Sequence, residues 1–545
     1  MGVKAMPKYI YITALALFAV GQASGQTVTW DGGDPASPNT GGIWNDTVNW
    51  DAGALPTTTN LTVLPSVTDG STRTVTQDIG AGTTINALQL IQSSPTGVNK
   101  LSLSGNITLS AASRENATVD STSSAFRVTL SGGATVDQVQ LDLNGFTINT
   151  TTNGSGATGG MNIGGTVNFN SAGSSMVQTS AGHTGINVFG ALVATADGRI
   201  GRDNGVTSGT GNGTINFMSG SSLDITSGVF SVEIAGRRGQ SRALNLNNSG
   251  SINISSGATL AEVWTAGANS SNEASVTMTN QTAGSITQAG TLALRAHHDA
   301  ASVNSPLISL VNNGTWTVSG SDAVIRRLTT SDNAAYVTVP TMTIGTTGTL
   351  KGSGASDTLE FNEEVALSNR MTITNNGIIA PGAGSNGAGL ASVGTMILQD
   401  INLTMGATGN LKMDLGGSGA GQFDQLNLQT GITDPAGAGT VDLGAVGDTL
   451  SLSLVNSFAP GLDFNIALIT AGSVIGEFDI VTLDAVAFTA NQLTVPEGTY
   501  TLSYTPTSVN LSFVGLIPEP STYVLLALGV LVIGVGVRRR RQPAC

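Results

Sequence analysis

Residues 125–150 read AFRVTLSGGATVDQVQLDLNGFTINT, and apolar side chains alternate with polar ones along most of this stretch. A period of two is typical of a β-strand with one buried face, as at Leu141 and Leu143. Asn144-Gly145 is a turn signal that separates two such strands. No capped segment of helical periodicity occurs between residues 26 and 516, so the sequence predicts an all-β body.

Imperfect repeats indicate that these strands stack in coils. TIGTTGTLK at residues 343–351 recurs as TMGATGNLK at 404–412, and GTVNF at 165–169 is related to GTINF at 213–217. Strands that repeat from coil to coil pair about 4.8 Å apart, and Asn and Thr side chains can then form ladders. We expect a β-solenoid with roughly 22 residues per coil.

Composition excludes several classes of function. The chain has 545 residues, of which 72 are Gly, and only 10% are charged. Lys and Arg number 21 against 35 Asp and Glu, so the net charge of −14 argues against nucleic-acid binding. With 3 His and 1 Cys, zinc clusters and disulfide scaffolds are excluded, and no cofactor or metal is expected.

The first 25 residues have the layout of a secretory signal peptide. Lys4 and Lys8 precede an apolar run at residues 9–20, and Ala23 and Gly25 are placed for cleavage before residue 26. We therefore expect a secretion translocon as a partner.

The segment at 516–541 combines a rigid motif, an apolar run and a basic cluster. An apolar stretch at 523–537 predicts one membrane helix near the lower length limit, and the basic cluster is expected on the cytoplasmic side. The motif consists of Pro518, Glu519 and Pro520, and the basic cluster of Arg538, Arg539, Arg540 and Arg541.

This order resembles the PEP-CTERM sorting signal of bacterial exported proteins. The resemblance implies recognition by an exosortase, with cleavage near Pro518-Glu519-Pro520. It also implies that the protein is held in the inner membrane before processing and then reaches the cell surface or the extracellular space.

The body resembles the autotransporter-associated β-strand repeat proteins. WDGG at residues 30–33, LDLNGFTI at 141–148 and IIAPGAGSNGAG at 378–389 are similar to their opening, recurring and closing segments. The resemblance implies a right-handed parallel β-helix.

The sequence suggests three units within this body. We expect an N-terminal β cap at 26–80, the solenoid body at 81–430, and a C-terminal β domain at 431–515. The longer, more aromatic strands of the last part predict a small β-sandwich or a capping sheet.

Few side chains suggest catalysis. The cluster His297, His298 and Asp299 would suit a general base with its orienting carboxylate, but a solvated turn explains it as well. Glu363 and Glu364 would suit a glycosidase carboxylate, but adjacent strand residues point to opposite faces. We therefore expect no catalytic site.

Three further groups of residues suggest ligands. The doublets Arg237-Arg238 and Arg326-Arg327 are interpreted as solvated strand ends rather than a groove for acidic sugars. The glycine-rich run at 416–421 begins like a calcium-binding repeat, but Gly421 stands where Asp is required. Trp30, Trp44 and Trp50 could stack on sugars or pack within the N-terminal cap.

The sequence favours an exported, non-enzymatic surface or matrix protein that contacts exopolysaccharide or neighbouring cells. A carbohydrate-active β-helix enzyme, of the polysaccharide lyase or glycosidase kind, is the first alternative. An ice-binding surface protein is the second, although no regular Thr-x-Thr ladder is evident in the linear sequence.

Overall fold

In the computed structural model the chain folds into coils of parallel β-strands. The structure describes residues 27–533 except for 33–40, 58–60, 66, 68–70, 80–81, 86, 93–97, 112–125, 133–138, 145, 153–159, 179–185, 203–212, 237–241, 267–273, 297–306, 329–338, 355, 364–368, 384–392, 432–436, 461–462 and 517–524.

Three long sheets run along the solenoid, and successive strands of the chain enter them in turn. Sheet 1 has 15 strands, all of which pair in parallel. Its strands are Thr27–Thr29, Leu61–Leu64, Ala87–Gln92, Phe126–Gly132, Gly160–Ile163, Ile186–Val188, Gly213–Phe217, Arg242–Asn248, Ala274–Asn280, Ile308–Asn312, Thr341–Ile344, Met371–Asn375, Ile401–Met405, Thr440–Leu443 and Ser473–Gly476.

Sheet 2 has 16 strands, and only its last pair is antiparallel. Its strands are Gly42–Ile43, Thr72–Gln77, Val98–Leu103, Val139–Asp142, Thr166–Phe169, Ala191–Ala194, Ser222–Ile225, Ser251–Ile254, Ser285–Gln288, Thr315–Val318, Thr349–Lys351, Ile378–Ala380, Asn410–Leu415, Thr449–Leu454, Ile480–Leu483 and Val486–Ala487.

Sheet 3 also has 16 strands and ends in an antiparallel group. Its parallel strands are Thr83–Ile85, Ile107–Ala111, Thr147–Thr152, Ser174–Gln178, Gly198–Arg202, Val229–Gly236, Thr259–Ala266, Thr291–Arg295, Ala323–Arg327, Ser356–Glu363, Thr395–Gln399, Gln425–Gln429 and Phe464–Thr470. The antiparallel strands Ser508–Gly515, Gly498–Thr505 and Gln492–Val495 follow in that order.

The structure thus confirms the predicted all-β solenoid, but its coils are longer than expected. Paired residues of neighbouring coils, such as Asn248 and Asn280 or Asn280 and Asn312, are 32 residues apart. The expectation of roughly 22 residues was wrong because each coil holds three strands and three corners.

Alternation of apolar and polar residues places the core inside the coils. Val98–Leu103 alternates between half-buried and buried positions, as the period of two predicts. Across coils the inward side chains align, so that Ile286, Trp316 and Leu350 stand on one another. All three are buried, and each coil therefore covers the apolar interior of the next.

Parallel pairing continues across both predicted domain boundaries, at residues 80/81 and 430/431. Sheet 1 already begins at Thr27–Thr29, and sheet 2 keeps its parallel register as far as Ile480–Leu483. The antiparallel strands at the C-terminal end extend sheet 3 directly.

Helix is almost absent from the described residues. A single 3-10 turn at Thr47–Asn49 is capped by Asp46, whose carboxylate accepts from the Val48 amide. Residues 525–533 are helical and expose most of their apolar side chains, including Leu525 and Val532.

Candidate functional site

The outward surface of sheet 1 carries two rows of side chains, which we call the outer rows, and all of these are amides or hydroxyls except Val311. The register aligns Asn187, Asn216, Asn247, Thr279, Val311, Thr343, Thr374 and Thr404 in one row, and Thr214, Asn245, Thr277, Ser309, Thr341, Thr372 and Asn402 in the other. Every second residue of a strand points outward, so adjacent rows lie two residues apart. Neither row contains a charged side chain within these bounds, and the next residue in register with Thr404 is Asp442.

Three members of the outer rows form a hydrogen-bonded ladder, the exposed amide ladder. Asn216 Nδ2 donates to Asn187 Oδ1 over 2.9 Å, and Asn247 Nδ2 donates to Asn216 Oδ1 over 3.0 Å. Within the ladder Asn216 uses one of its two N–H donors and one of its two acceptor positions, and Asn247 uses one N–H donor. The ladder therefore fixes the side chains while leaving them able to bind a ligand.

The next residue along the chain, Asn248, begins a second ladder that points into the solenoid. In this buried amide ladder Asn248 Nδ2 donates to Asn280 Oδ1 at 2.9 Å, and Asn280 Nδ2 donates to Asn312 Oδ1 at 2.8 Å. Backbone carbonyls accept the other amide hydrogens, as Thr349 does from Asn312 at 2.8 Å. All three side chains are fully buried, so this ladder has a structural role.

The outer rows bring together Thr-x-Thr strands that are far apart in the sequence. Residues 277–279, 341–343 and 372–374 all read Thr, apolar, Thr and lie on one face. One coil with Ser309 and Val311 separates the first from the second. The linear sequence hides this array because the coils differ in length, and only the strand register reveals it.

The three N-terminal tryptophans pack against each other instead of facing solvent. Trp30 and Trp50 are in edge contact with ring centroids 5.1 Å apart, and Trp44 and Trp50 lie 4.8 Å apart. Trp50 Nε1 donates to the Trp44 carbonyl oxygen over 2.9 Å. Each is at most 2% exposed, so the sugar-stacking interpretation is wrong and the packing interpretation holds.

The structure describes only one of the predicted catalytic candidates, Glu363. His297, His298, Asp299 and Glu364 lie outside the described residues. Glu363 points inward and forms a buried ion pair with Arg327, with Nε and Oε1 3.6 Å apart.

Arg327 corrects part of the arginine interpretation. Its partner in the doublet, Arg326, is exposed as expected, whereas Arg327 is buried. Burial lowers the pKa of Arg327, and the Glu363 carboxylate opposes that shift. Buried charges need such a partner, which explains why Arg327 tolerates an interior position. The other doublet, Arg237-Arg238, lies outside the described residues.

The glycine-rich run at 416–421 follows the strand Asn410–Leu415 and leads to Asp424. The Asp424 carboxylate accepts from the Gly394 amide at 2.6 Å and from the Asp414 amide at 2.9 Å. Burial raises the pKa of Asp424 to about 7. Within the described ranges no three His, Cys, Asp or Glu side chains are grouped to hold a metal ion.

Glu262 is a buried carboxylate that the sequence analysis did not single out. It is fully buried on the inner side of sheet 3, and burial raises its pKa to about 8. Among the described residues neither carboxylate oxygen has a hydrogen-bond partner. Glu262 lies in the strand Thr259–Ala266, and only the strand register showed that its side chain points inward.

The body ends in a strand that leads directly into the sorting segment. Gly515 N donates to Asp463 Oδ1 over 2.8 Å, and Leu516 N donates to the Glu497 carbonyl oxygen over 2.9 Å. Residues 516–541 match the family model of the PEP-CTERM protein-sorting motif. The chain carries a PEP-CTERM motif. This is the substrate motif of exosortase, and it supports export with that sorting enzyme as a partner.

Most residues singled out for sorting lie outside the described part of the chain. These are Ala23 and Gly25, the PEP-CTERM residues Pro518, Glu519 and Pro520, and Arg538, Arg539, Arg540 and Arg541. Of the predicted membrane helix at 523–537, residues 525–533 are described and helical. Across the described residues there is no helix with the length and apolar character needed to cross a membrane. No curated protein matches the chain.

Proposed function

We propose that this protein is an exported, non-enzymatic β-solenoid of the cell surface or extracellular matrix that contacts exopolysaccharide through its long outer face. The observation that carries the proposal is the outer rows of sheet 1, which present amides and hydroxyls coil after coil. A polysaccharide chain is itself a repeating array of hydroxyls, so a repeating array of donors and acceptors is a suitable partner.

Two of the described carboxylates, Glu363 and Asp424, are already engaged within the fold. Retaining or inverting glycoside hydrolysis needs two carboxyl groups that face a substrate across a cleft. Glu363 is instead paired with Arg327 in the interior, and Asp424 is occupied by two backbone amides.

The full-length chain tests both parts of this proposal when it is purified in mild detergent. Retardation in gels that contain neutral polysaccharides is expected, without release of reducing sugar. Release of oligosaccharides by the purified chain would favour the carbohydrate-active alternative, and the absence of any retardation would contradict polysaccharide contact.

The PEP-CTERM motif directs the proposed route to the surface. Residues 525–533 form an apolar helix of about 14 Å at 1.5 Å per residue, against a hydrocarbon core of about 30 Å. We infer that the whole apolar stretch at 523–537 serves as a temporary anchor, with Arg538–Arg541 holding it at the cytoplasmic side before exosortase cuts near residue 518.

Replacement of Pro518, Glu519 and Pro520 by Ala tests this route. Uncut protein should accumulate in the inner membrane, measured by mass spectrometry of the C-terminus in fractionated cells. Pro496 and Glu497 provide a matched control, since their replacement by Ala alters a similar Pro-Glu pair inside the body. Recovery of intact Cys545 on wild-type surface protein would show that the segment is a permanent anchor.

The antiparallel strands at the C-terminal end act, in this proposal, as a cap. An exposed strand edge invites pairing with another chain. The Val474 amide of the last sheet 1 strand donates to Pro506 O over 2.8 Å, and Ala471 N donates to Thr507 O over 3.0 Å. These bonds occupy two backbone N–H groups that would otherwise face solvent at the end of the solenoid.

Ice binding is a second candidate because three Thr-x-Thr strands share the outer face. Threonine hydroxyls that share one face of a parallel sheet could order water at an ice surface. Inhibition of ice recrystallisation by the full-length chain, lost in Thr341→Lys and Thr343→Lys, is the expected result for this function. Ice crystals of the same size with the wild-type chain and with these variants, at equal protein concentration, would exclude ice binding through this face.

A further inference from the structure

An exposed aromatic and an exposed methionine occupy equivalent corners of adjacent coils. Phe189 follows Val188, Met218 follows Phe217, and Val188 pairs with Phe217 in sheet 1. Their amides make the same bond to the preceding coil, Phe189 N to Ile163 O at 2.7 Å and Met218 N to Val188 O at 2.9 Å.

These two side chains form an apolar platform, which we call the corner pair. Phe189 is 47% exposed and Met218 is 37% exposed, although the chain has few aromatic residues and buries most of those that are described. Adjacent coils lie about 4.8 Å apart, so the two side chains cover a continuous strip along the corner. Exposed apolar groups that adjoin each other mark binding surfaces more often than isolated ones do.

An open groove of about 420 Å³ lies beside the corner pair. Met218 and Phe217 line it together with the amides of Asn216, Asn247 and Gln281 and the hydroxyl of Thr282. Two of these amides belong to the exposed amide ladder, so their orientation is fixed before any ligand arrives. A groove of this size is within the range of small-ligand sites, and preorganised polar groups reduce the cost of binding.

The groove combines apolar and uncharged polar chemistry. A sugar ring has a C–H face that buries on an aromatic or thioether surface and an edge of hydroxyls that binds amides. Among the residues that the structure describes, no charged side chain lines the groove, and the chain as a whole carries a net charge of −14. An anionic polysaccharide would meet repulsion without a compensating cation.

We propose that the corner pair and the adjoining groove form a binding subsite for an uncharged sugar residue of a neutral polysaccharide. This rests on the proposed function and gives it a location and a substrate class. The sugar stacks its C–H face on Phe189 and Met218, and its hydroxyls bind the free amide positions of Asn216 and Asn247.

Affinity gel electrophoresis of the full-length chain tests this subsite with four probes. Dextran, laminarin and galactan are neutral, and alginate is a polyuronate. The wild-type chain should be retarded by at least one neutral polysaccharide and not by alginate. The double variant Phe189→Ala, Met218→Ala should bind that polysaccharide at least tenfold more weakly, because it removes the platform without touching the core.

Val446→Ala is the matched control, since Val446 is 83% exposed and lies far along the chain. It should bind as tightly as wild type, and circular dichroism should show all variants folded. Wild-type affinity in the double variant would overturn the subsite and leave the proposed function standing, as would equal retardation by alginate. Failure of the wild-type chain to bind any of the four would overturn both.

Discussion

Two ladders of asparagine lie back to back on the same sheet, and only their burial distinguishes them. Asn247 ends the exposed amide ladder, while the adjacent Asn248 begins the buried one. Their side-chain hydrogen bonds have nearly equal lengths, between 2.8 and 3.0 Å. In the interior a lost partner leaves an unsatisfied group, whereas at the surface water replaces it. The same chemistry therefore stabilises the fold on one side and is available for binding on the other.

The largest effect is expected for Asn280→Ala in the buried ladder. The change removes the acceptor of Asn248 and leaves Asn312 Oδ1 and Thr315 O without this donor. At roughly 1–3 kcal/mol for an unsatisfied buried group, we expect a loss of about 3 kcal/mol in the free energy of unfolding. Urea denaturation followed by circular dichroism measures it. A loss below about 0.5 kcal/mol would show that the buried ladder does not stabilise the coils.

Gly284→Ala should disturb the same ladder through the backbone. A Cβ at Gly284 would clash with the Asn248 carbonyl oxygen and with Asn280 Oδ1. Overpacking of this kind costs roughly 1–3 kcal/mol, so we expect a loss of about 2 kcal/mol. Gly354→Ala is the control, since a Cβ there meets nothing within 4 Å. Equal melting temperatures for the two variants would contradict this role of the corner glycine.

Glu262 tests what happens when a buried polar group lacks the partners that the ladder supplies. Its folded pKa of about 8 is above its ordinary value of 4.5, so the folded chain takes up a proton before the unfolded chain does. Stability should therefore rise as the pH falls through about 8 towards 4.5, by about 1 kcal/mol per pH unit over part of that window. Above pH 8 this contribution is lost.

Glu262→Gln should flatten that part of the pH profile, and Glu262→Leu should raise stability at pH 8. Asp424 and Asp448, whose pKa values burial raises to about 7 and about 6, add the same sign of dependence at lower pH. The midpoints of urea denaturation of the wild-type chain and of both variants, measured from pH 5 to 9, test this prediction. A wild-type profile that falls on acidification from pH 8 to 6 would show that these carboxylates do not control it.

The smallest effect is expected for Asn216→Ala at the centre of the exposed ladder. Water can replace both of its bonds to Asn187 and Asn247, so the free energy of unfolding should change by less than about 0.5 kcal/mol. Both variants remove one asparagine from a ladder. A comparison of their losses in the free energy of unfolding therefore shows the effect of burial. Similar losses in the two variants would remove the distinction between the ladders.

The strand pattern was predictable because alternation reports directly on which face is buried. Alternation places Asn248 on the buried face of Leu244 and Leu246 and Asn247 on the other, but only the register between coils shows that each asparagine belongs to a ladder. The coil length and the alignment of Thr-x-Thr strands were missed for the same reason: corners of unequal length conceal the repeat. Phe189 and Met218 had no sequence signal beyond following the strand ends, and their equivalence follows from pairing alone.

The strand that leads into the PEP-CTERM motif is held on both sides. Ser508–Gly515 pairs with Phe464–Thr470 on one edge and with Gly498–Thr505 on the other, in antiparallel register. If the proposed anchor holds the chain before processing, any pull on the body is transmitted through Leu516. Because force along this strand loads two rows of hydrogen bonds together, the coils beyond it are protected from being peeled away one by one. In the proposed route, this doubly paired strand fastens the body to the segment that holds it at the membrane before processing.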